Sequence, residues 1–415
     1  MEKVEIMAPV GSYESLQAAF QAGADAVYFG VGKMNMRSRS AANFGIADLQ
    51  RICVLAKERG VATYLTVNTV VYNDEIDEMH ALLDAAKAAE VSAVIASDMA
   101  VITYACSIGL EVHISTQCNV SNIEAIRFFS QFADVIVTAR ELTLGQVAEI
   151  TRTITEEGIC GPGGHPVRIE MFAHGALCMS VSGKCYLSLD ACNHSANRGE
   201  CLQLCRRGYV VKDIESDLEL NIDNQYIMSP KDLCTIGFLD KIVKAGVSVL
   251  KIEGRGRSAD YVYTVVACYK EALDAIDNGT YTQERIEQWT ERLKTVFNRG
   301  FWDGYYLGRK MGEWSNRYGS QATETKVYLG LVSNYFNRIG VAEIRLQTAE
   351  TLSVGDQLMV IGTTTGVYRA TVEEMRLDRD PVPSVHQGDA FSIKTAAALH
   401  RGDKVYKVVT TIEDF

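Results

Sequence analysis

The chain has 415 residues, 47% of them apolar and 22% charged, with 41 basic side chains against 52 acidic ones and a net charge of −11. At roughly 150 residues per domain this length suits two or three domains, and the composition excludes intrinsic disorder, collagen-like sequence and a disulfide miniprotein. The charge argues against a surface coated in basic residues for non-specific nucleic-acid binding but leaves room for a local basic groove.

Met1 to Glu5 carry no basic leader followed by an apolar stretch, so no secretory signal is expected. The uncharged apolar-leaning run Met99 to Leu110 has 12 residues, too few to cross a bilayer. A cytoplasmic location with no membrane contact follows. Free thiols or ligands are then expected of the cysteines, not disulfides. Nothing in the sequence specifies an oligomeric state.

From the N-terminus to about residue 255, short β-branched runs alternate with helical segments. The strands are expected at Val4 to Ala8, Ala26 to Gly30, Ala62 to Val67, Ser92 to Ser97, Glu111 to Thr116, Asp134 to Thr138, Arg168 to Ala173 and Ser248 to Glu253. Between them, Ser12 reads as a helix N-cap with Leu16, Ala19 and Phe20 on one face, and Leu49, Ile52, Cys53 and Ala56 form a stripe that ends at Gly60. Such alternation implies a parallel sheet with helices outside. Eight strands suit a closed β/α (TIM-like) barrel better than a doubly wound sheet, for which the dinucleotide fingerprint is missing.

The connection between the seventh and eighth strands, 174–247, is far longer than a helix with two loops requires. In a barrel it leaves the C-terminal face, where the active sites of such barrels are built. A helical region from Ser258 to Asn298 completes a barrel domain of residues 1–312. A polar linker, 313–325, and a small all-β barrel, 326–415, are expected to follow, the latter from alternating β-branched residues and turns at Gly355, Gly366, Gly388 and Gly402.

Six of the 11 cysteines, Cys178, Cys185, Cys192, Cys201, Cys205 and Cys234, fall inside this long connection. Their polar neighbours (Gly183-Lys184, Asn197-Arg198-Gly199, Arg206-Arg207) favour ligation over burial as small hydrophobes. Structural zinc sites use closely paired cysteines, and only Cys201 and Cys205 are close, so spacing leaves zinc and an iron-sulfur cluster level. His174 precedes Cys178 by four residues, and a hydrogen-bonded histidine at a strand end is favoured over a thiol–imidazole pair. Neither a metalloprotease HExxH nor a serine-hydrolase GxSxG pattern occurs.

Lys251, Arg255 and Arg257 follow the eighth strand, Arg140 the sixth and Arg37 the second, so all five are expected on the barrel's C-terminal side. Guanidinium groups suit carboxylate or phosphate, which points to a small anionic carboxylate as ligand. A structural ion-pair network around Glu253 is the alternative. Glu170, His174 and Glu253 complete the candidate pocket; no catalytic residue is assigned.

The run Glu170-Met-Phe172-Ala-His-Gly175-Ala176-Leu177-Cys178-x4-Gly183-x-Cys185-x-Leu187-Ser188 resembles the signature of the collagenase-like peptidases, family thirty-two of the peptidases of unassigned mechanism. Ala8-Pro-Val-Gly11, Asn197-x-Gly199-x-Cys201, Lys231-Asp-Leu-Cys234 and Lys251-Ile-Glu253-Gly-Arg255 extend the resemblance over the barrel. It is strongest to the branch that hydroxylates the wobble uridine of tRNA with prephenate as co-substrate. The resemblance implies a 4Fe-4S cluster on Cys178, Cys185, Cys201 and Cys234, with Cys205 in reserve, and tRNA as partner. The alternatives are proteolysis and hydroxylation of another RNA base or a quinone precursor. The segment from Leu352 is similar to the second domain of translation elongation factors.

Overall fold

The computed structural model describes residues 3–39, 44–212, 215, 219–220, 228–308, 313–316 and 319–411. Eight parallel strands, β1 (Glu5–Pro9), β2 (Ala26–Gly30), β3 (Ala62–Val67), β4 (Ala93–Ala96), β5 (Val112–Ile114), β6 (Val135–Val137), β7 (Arg168–Gly175) and β8 (Val249–Ile252), pair in sequence order. The ring closes where β8 pairs with both β1 and β7. Helices lie outside it: α1 (Tyr13–Gln21), α2 (Ile46–Lys57), α3 (Ile76–Ala88), α4 (Met99–Ser107), α5 (Ile123–Phe129) and α6 (Leu144–Glu157). The expected N-cap is in place, with the Ser12 side chain accepting from Ser15 N at 3.2 Å.

Strand alternation sorts side chains between two cores. Met7, Ala26, Tyr28, Tyr64, Ala93, Ile95, Val135 and Val249 fill the inside of the barrel, while Ile6, Val27, Leu65 and Val94 face the helices. Both faces of every strand are covered, as their near-continuous apolar sequences require.

β7 runs two residues beyond the expected Ala173 because its end is paired. The short strand Asp232–Cys234 lies antiparallel to it, with Leu233 opposite Gly175 and Cys234 opposite His174. The long connection contains α7 (Leu187–Cys192) and returns through α8 (Leu239–Lys244) to β8. The expected single helical region divides into α9 (Ala259–Asp277) and α10 (Gln283–Lys294), separated by Asn278-Gly279 and restarted by Thr282, whose side chain accepts from Arg285 N. Among the described residues no helix is long and apolar enough to cross a membrane.

From Glu324 the chain forms an eight-stranded antiparallel sheet around its own core of Leu329, Val332, Ile344, Leu358 and Phe391. The first strand, Glu324–Phe336, already begins within the expected linker. This sheet packs on α1 and α9 through Met359, Ile361 and Val367. The Gln21 amide fixes the contact, donating to Thr365 O at 2.6 Å and accepting from Val367 N at 2.9 Å.

Candidate functional site at the mouth of the barrel

The inward positions nearest the C-terminal ends of the strands are polar or aromatic. Lys251 on β8 places Nζ 2.8 Å from Glu170 Oε1 of β7 and 4.7 Å from the centre of the Tyr28 ring. Both partners of this ion pair are buried, and Glu170 Oε2 has no hydrogen-bond partner. One step further out, Arg37 grips Glu253 Oε1 through Nε at 3.1 Å and Nη2 at 2.7 Å. Burial alone would raise the Glu253 carboxyl, but Arg37, Arg140 and Arg255 outweigh it and hold the group at about 2.

Arg255 is buried and donates to Asn35 Oδ1 at 3.1 Å and Thr66 Oγ1 at 2.7 Å, neither of them a carboxylate. Arg140 lies 3.9 Å over the Phe172 ring with its Nε buried and without a hydrogen-bond partner. Arg257 stacks 3.5 Å over Phe297. All five cations expected at the mouth therefore line one cavity of about 400 Å³, joined by Arg206, Arg299 and Lys184. Six arginines and two lysines, eight cations, face a single lining carboxylate, Glu253. Of the network offered as the alternative, the ion pair of Glu253 with Arg37 is present, and donors of Arg140 and Arg255 are left unmatched by carboxylate.

The cysteine-bearing connection roofs this cavity. It departs at Gly175, whose φ of +105° and proximity to Glu253 O, 2.5 Å from where a Cβ would stand, admit no side chain. Cys178, Cys185, Cys201 and Cys205 all line the cavity. Burial raises the Cys205 thiol; Arg206 opposes this, while Cys178, Cys201 and Cys185 lie within electrostatic reach and raise it further. Cys192 ends α7, exposed, and is not among the lining residues. Cys234 sits off the cavity on its short strand, where burial pushes its thiol up to about 11 beside Tyr269. Among the described residues no three His, Cys, Asp or Glu side chains gather closely enough to hold a single metal ion.

The roof is pinned to the barrel. Arg198 donates to Glu75 at 2.9 and 2.7 Å and stacks 3.8 Å over the Tyr72 ring. Gly199, at φ +85°, would bring a Cβ within 2.3 Å of Asn35 O. His174, by contrast, is buried among Tyr261, Tyr269 and Phe301, where desolvation lowers its imidazole to about 3, and it is not a lining residue. It is the strand-end histidine that the sequence favoured over a thiol partner.

Residues 11–316, which span the barrel and its roof, match the model of peptidase family U32. The chain belongs to this family. A protein named collagenase from Porphyromonas gingivalis is 58% identical over 97% of both chains. An uncharacterized protease of Methanocaldococcus jannaschii is 35% identical over 99% of this chain and all of its own. The tRNA hydroxylation protein P1 of Bacillus subtilis is 31% identical over 90% of this chain and 86% of its own.

One wall of the U32 cavity escaped the sequence reading: Asn68, Ser115, Thr116, Gln117 and Asn197. The first four follow β3 and β5 at the barrel's C-terminal ends, a position that could have flagged them. Asn197 belongs to the Asn-x-Gly-x-Cys run but carried no assignment of its own. Neutral amides and hydroxyls leave no mark on charge or cysteine spacing.

Proposed function

We propose that this U32 chain is an iron-sulfur enzyme of RNA hydroxylation that modifies the wobble uridine of tRNA with prephenate as co-substrate. The observation that carries the reading is the meeting of four cysteines and eight cations in one cavity. Each iron of a 4Fe-4S cluster takes one thiolate, so the four sulfurs need separate corners around a shared space and not convergence on one point. Cys178, Cys185, Cys201 and Cys205 fit that demand and would hold the cluster, which supplies redox chemistry when bound.

The protein's own groups then have separable tasks. Arg140 and Arg255, which lack carboxylate partners, receive the carboxylates of prephenate. Phe172 and Tyr28 form an apolar floor that keeps water from the ligand. Glu253 stays ionised at neutral pH and holds Arg37 at the cavity edge. Lys251, Arg37 and Arg299 are ion-paired with Glu170, Glu253 and Asp232, and the other five cations offer the local positive field that an acidic protein needs to bind a polyanion.

The 58% identity to a protein named collagenase favours a second reading, proteolysis. The cavity is poorly equipped for it. No histidine or aspartate is among its lining residues, and its one carboxylate, held at about 2, is a weak base. Nucleoside mass spectrometry of tRNA from a deletion strain, with and without the restored gene, separates the readings. Loss and recovery of 5-hydroxyuridine-derived nucleosides is expected. Unchanged nucleosides in a strain lacking any redundant hydroxylase, together with gelatin cleavage by metal-free protein, would establish proteolysis instead.

A further inference from the structure

Arg206 grips the cysteine-bearing connection at both of its ends. Its Nη2 donates to Leu177 O, and its Nη1 donates to Pro230 O at 2.9 Å and to Ser229 Oγ at 3.3 Å. Leu177 precedes Cys178 where the connection leaves the barrel, Ser229 and Pro230 lie on its way back, and Arg206 itself follows Cys205. One planar guanidinium thus ties the outgoing and returning chain to the segment between them, a fork that a flexible ammonium does not reproduce. The charge it carries is not neutralised there. Its acceptors are carbonyls and a hydroxyl, and among the described residues no carboxylate pairs with it. Asp232, an acid within its electrostatic reach, is already paired with Arg299 at 3.3 Å, and Arg299 acts on Arg206 as a like charge. The thiols within that reach are Cys205 and Cys178, which line the same cavity. A half-buried cation set among neutral groups and beside a second cation calls for an anionic neighbour.

We infer that Arg206 is the positioning residue of the redox centre: its fork fixes where Cys178 and Cys205 stand, and its charge makes the centre easier to reduce. The inference rests on the iron-sulfur reading above and adds which side chain holds and tunes the cluster. Groups behind the ligands orient them, and their loss loosens the metal. Net charge around a cluster is one of the levers that set its potential. A cluster on four thiolates is anionic and becomes more so when it gains an electron, so a cation beside it favours the reduced form over the oxidised one. Arg207, the next residue, supplies the internal comparison, being exposed and not among the lining residues. An arginine that merely braced the loop would affect folding and leave the potential of the loaded protein where it was.

The test is a redox titration of the full chain, purified anaerobically and followed by visible absorption and electron paramagnetic resonance, with iron release to bathophenanthroline measured beside it. Arg206→Met removes charge and fork, Arg206→Lys keeps the charge alone, and Arg207→Met removes a neighbouring exposed charge. Arg206→Met should shift the balance about tenfold toward the oxidised cluster, a fall of about 59 mV in midpoint potential, and should release iron about tenfold faster. Arg206→Lys should keep the wild-type potential and release iron as fast as Arg206→Met. Arg207→Met should change neither. If Arg206→Met takes up no iron, Arg206→Gln, neutral with one amide left to donate, takes its place in the titration. An unchanged potential in the loaded neutral variant, or an equal fall in Arg207→Met, would overturn the tuning role. Wild-type iron release in Arg206→Lys would overturn the positioning role. A cluster indifferent to every substitution would discard the inference and leave the iron-sulfur reading intact, whereas a wild-type protein without iron would discard both.

Discussion

His174 shows how burial fixes a residue's chemical state. Its imidazole titrates near 3 in the fold against an ordinary value of 6.5. Below pH 6.5 the unfolded chain takes up a proton that the folded one refuses, so the stability present above that pH is lost progressively as the pH falls toward 3. Between pH 7.5 and 5 this one group should cost on the order of 2 kcal/mol. Thermal melts of His174→Phe at the two pH values should show a correspondingly smaller fall than wild type, and an equal fall would contradict the burial of a neutral imidazole. Glu253 works in the opposite sense, as a charge that the fold retains. Glu253→Gln weakens the charge-assisted grip of Arg37 in a partly buried pair and should destabilise by about 2 kcal/mol, measured by urea unfolding.

At the scale of elements, the roof is held by a few local contacts and should open without the barrel. Arg198 and Glu75 are 27% and 12% exposed, so Arg198→Ala should cost the global fold only about 1 kcal/mol. Amide exchange should nevertheless accelerate across 196–206 while β1 to β8 keep their protection; uniform acceleration would show that the roof is part of the main cooperative unit. The fourth cluster ligand also belongs to this scale. Cys205 lies on the cavity wall and Cys234 off it, so Cys205→Ser should lose iron and Cys234→Ser should keep it. The opposite pattern would mean that the short strand Asp232–Cys234 rearranges to bring its thiol forward.

These elements also show what sequence makes legible. The barrel strands could be read because each is a short apolar run buried on both faces, and Ala26–Gly30 and Ala62–Val67 fall where periodicity puts them. The expected cations reached one cavity for the same reason, since Lys251 lies on β8 and the four arginines follow strands at their C-terminal ends. The antiparallel partner of β7 was not legible, because three residues of strand inside a long connection have no periodicity of their own. The arrangement of the cysteines depends on where that connection folds, which Gly199 and Arg198 decide through contacts with residues 35 and 75 far away in sequence.

At the scale of the whole molecule, the net charge of −11 and the cation-lined mouth are reconciled by segregation. Affinity for tRNA should therefore fall steeply with salt, by tenfold or more between about 50 and 200 mM. A salt-independent affinity would remove the mouth as the RNA-binding surface. The antiparallel sheet docked on α1 and α9 is joined to the barrel through Gln21. The claim on which the rest depends is that the roof cysteines hold a redox centre. Iron and sulfide analysis of anaerobically purified protein, read with its visible spectrum, tests it most directly. The account predicts a brown protein with about four irons and four sulfides per chain, lost in Cys178→Ser, Cys185→Ser and Cys201→Ser. A colourless iron-free protein that still restores tRNA hydroxylation, or iron retained in all three variants, would contradict it.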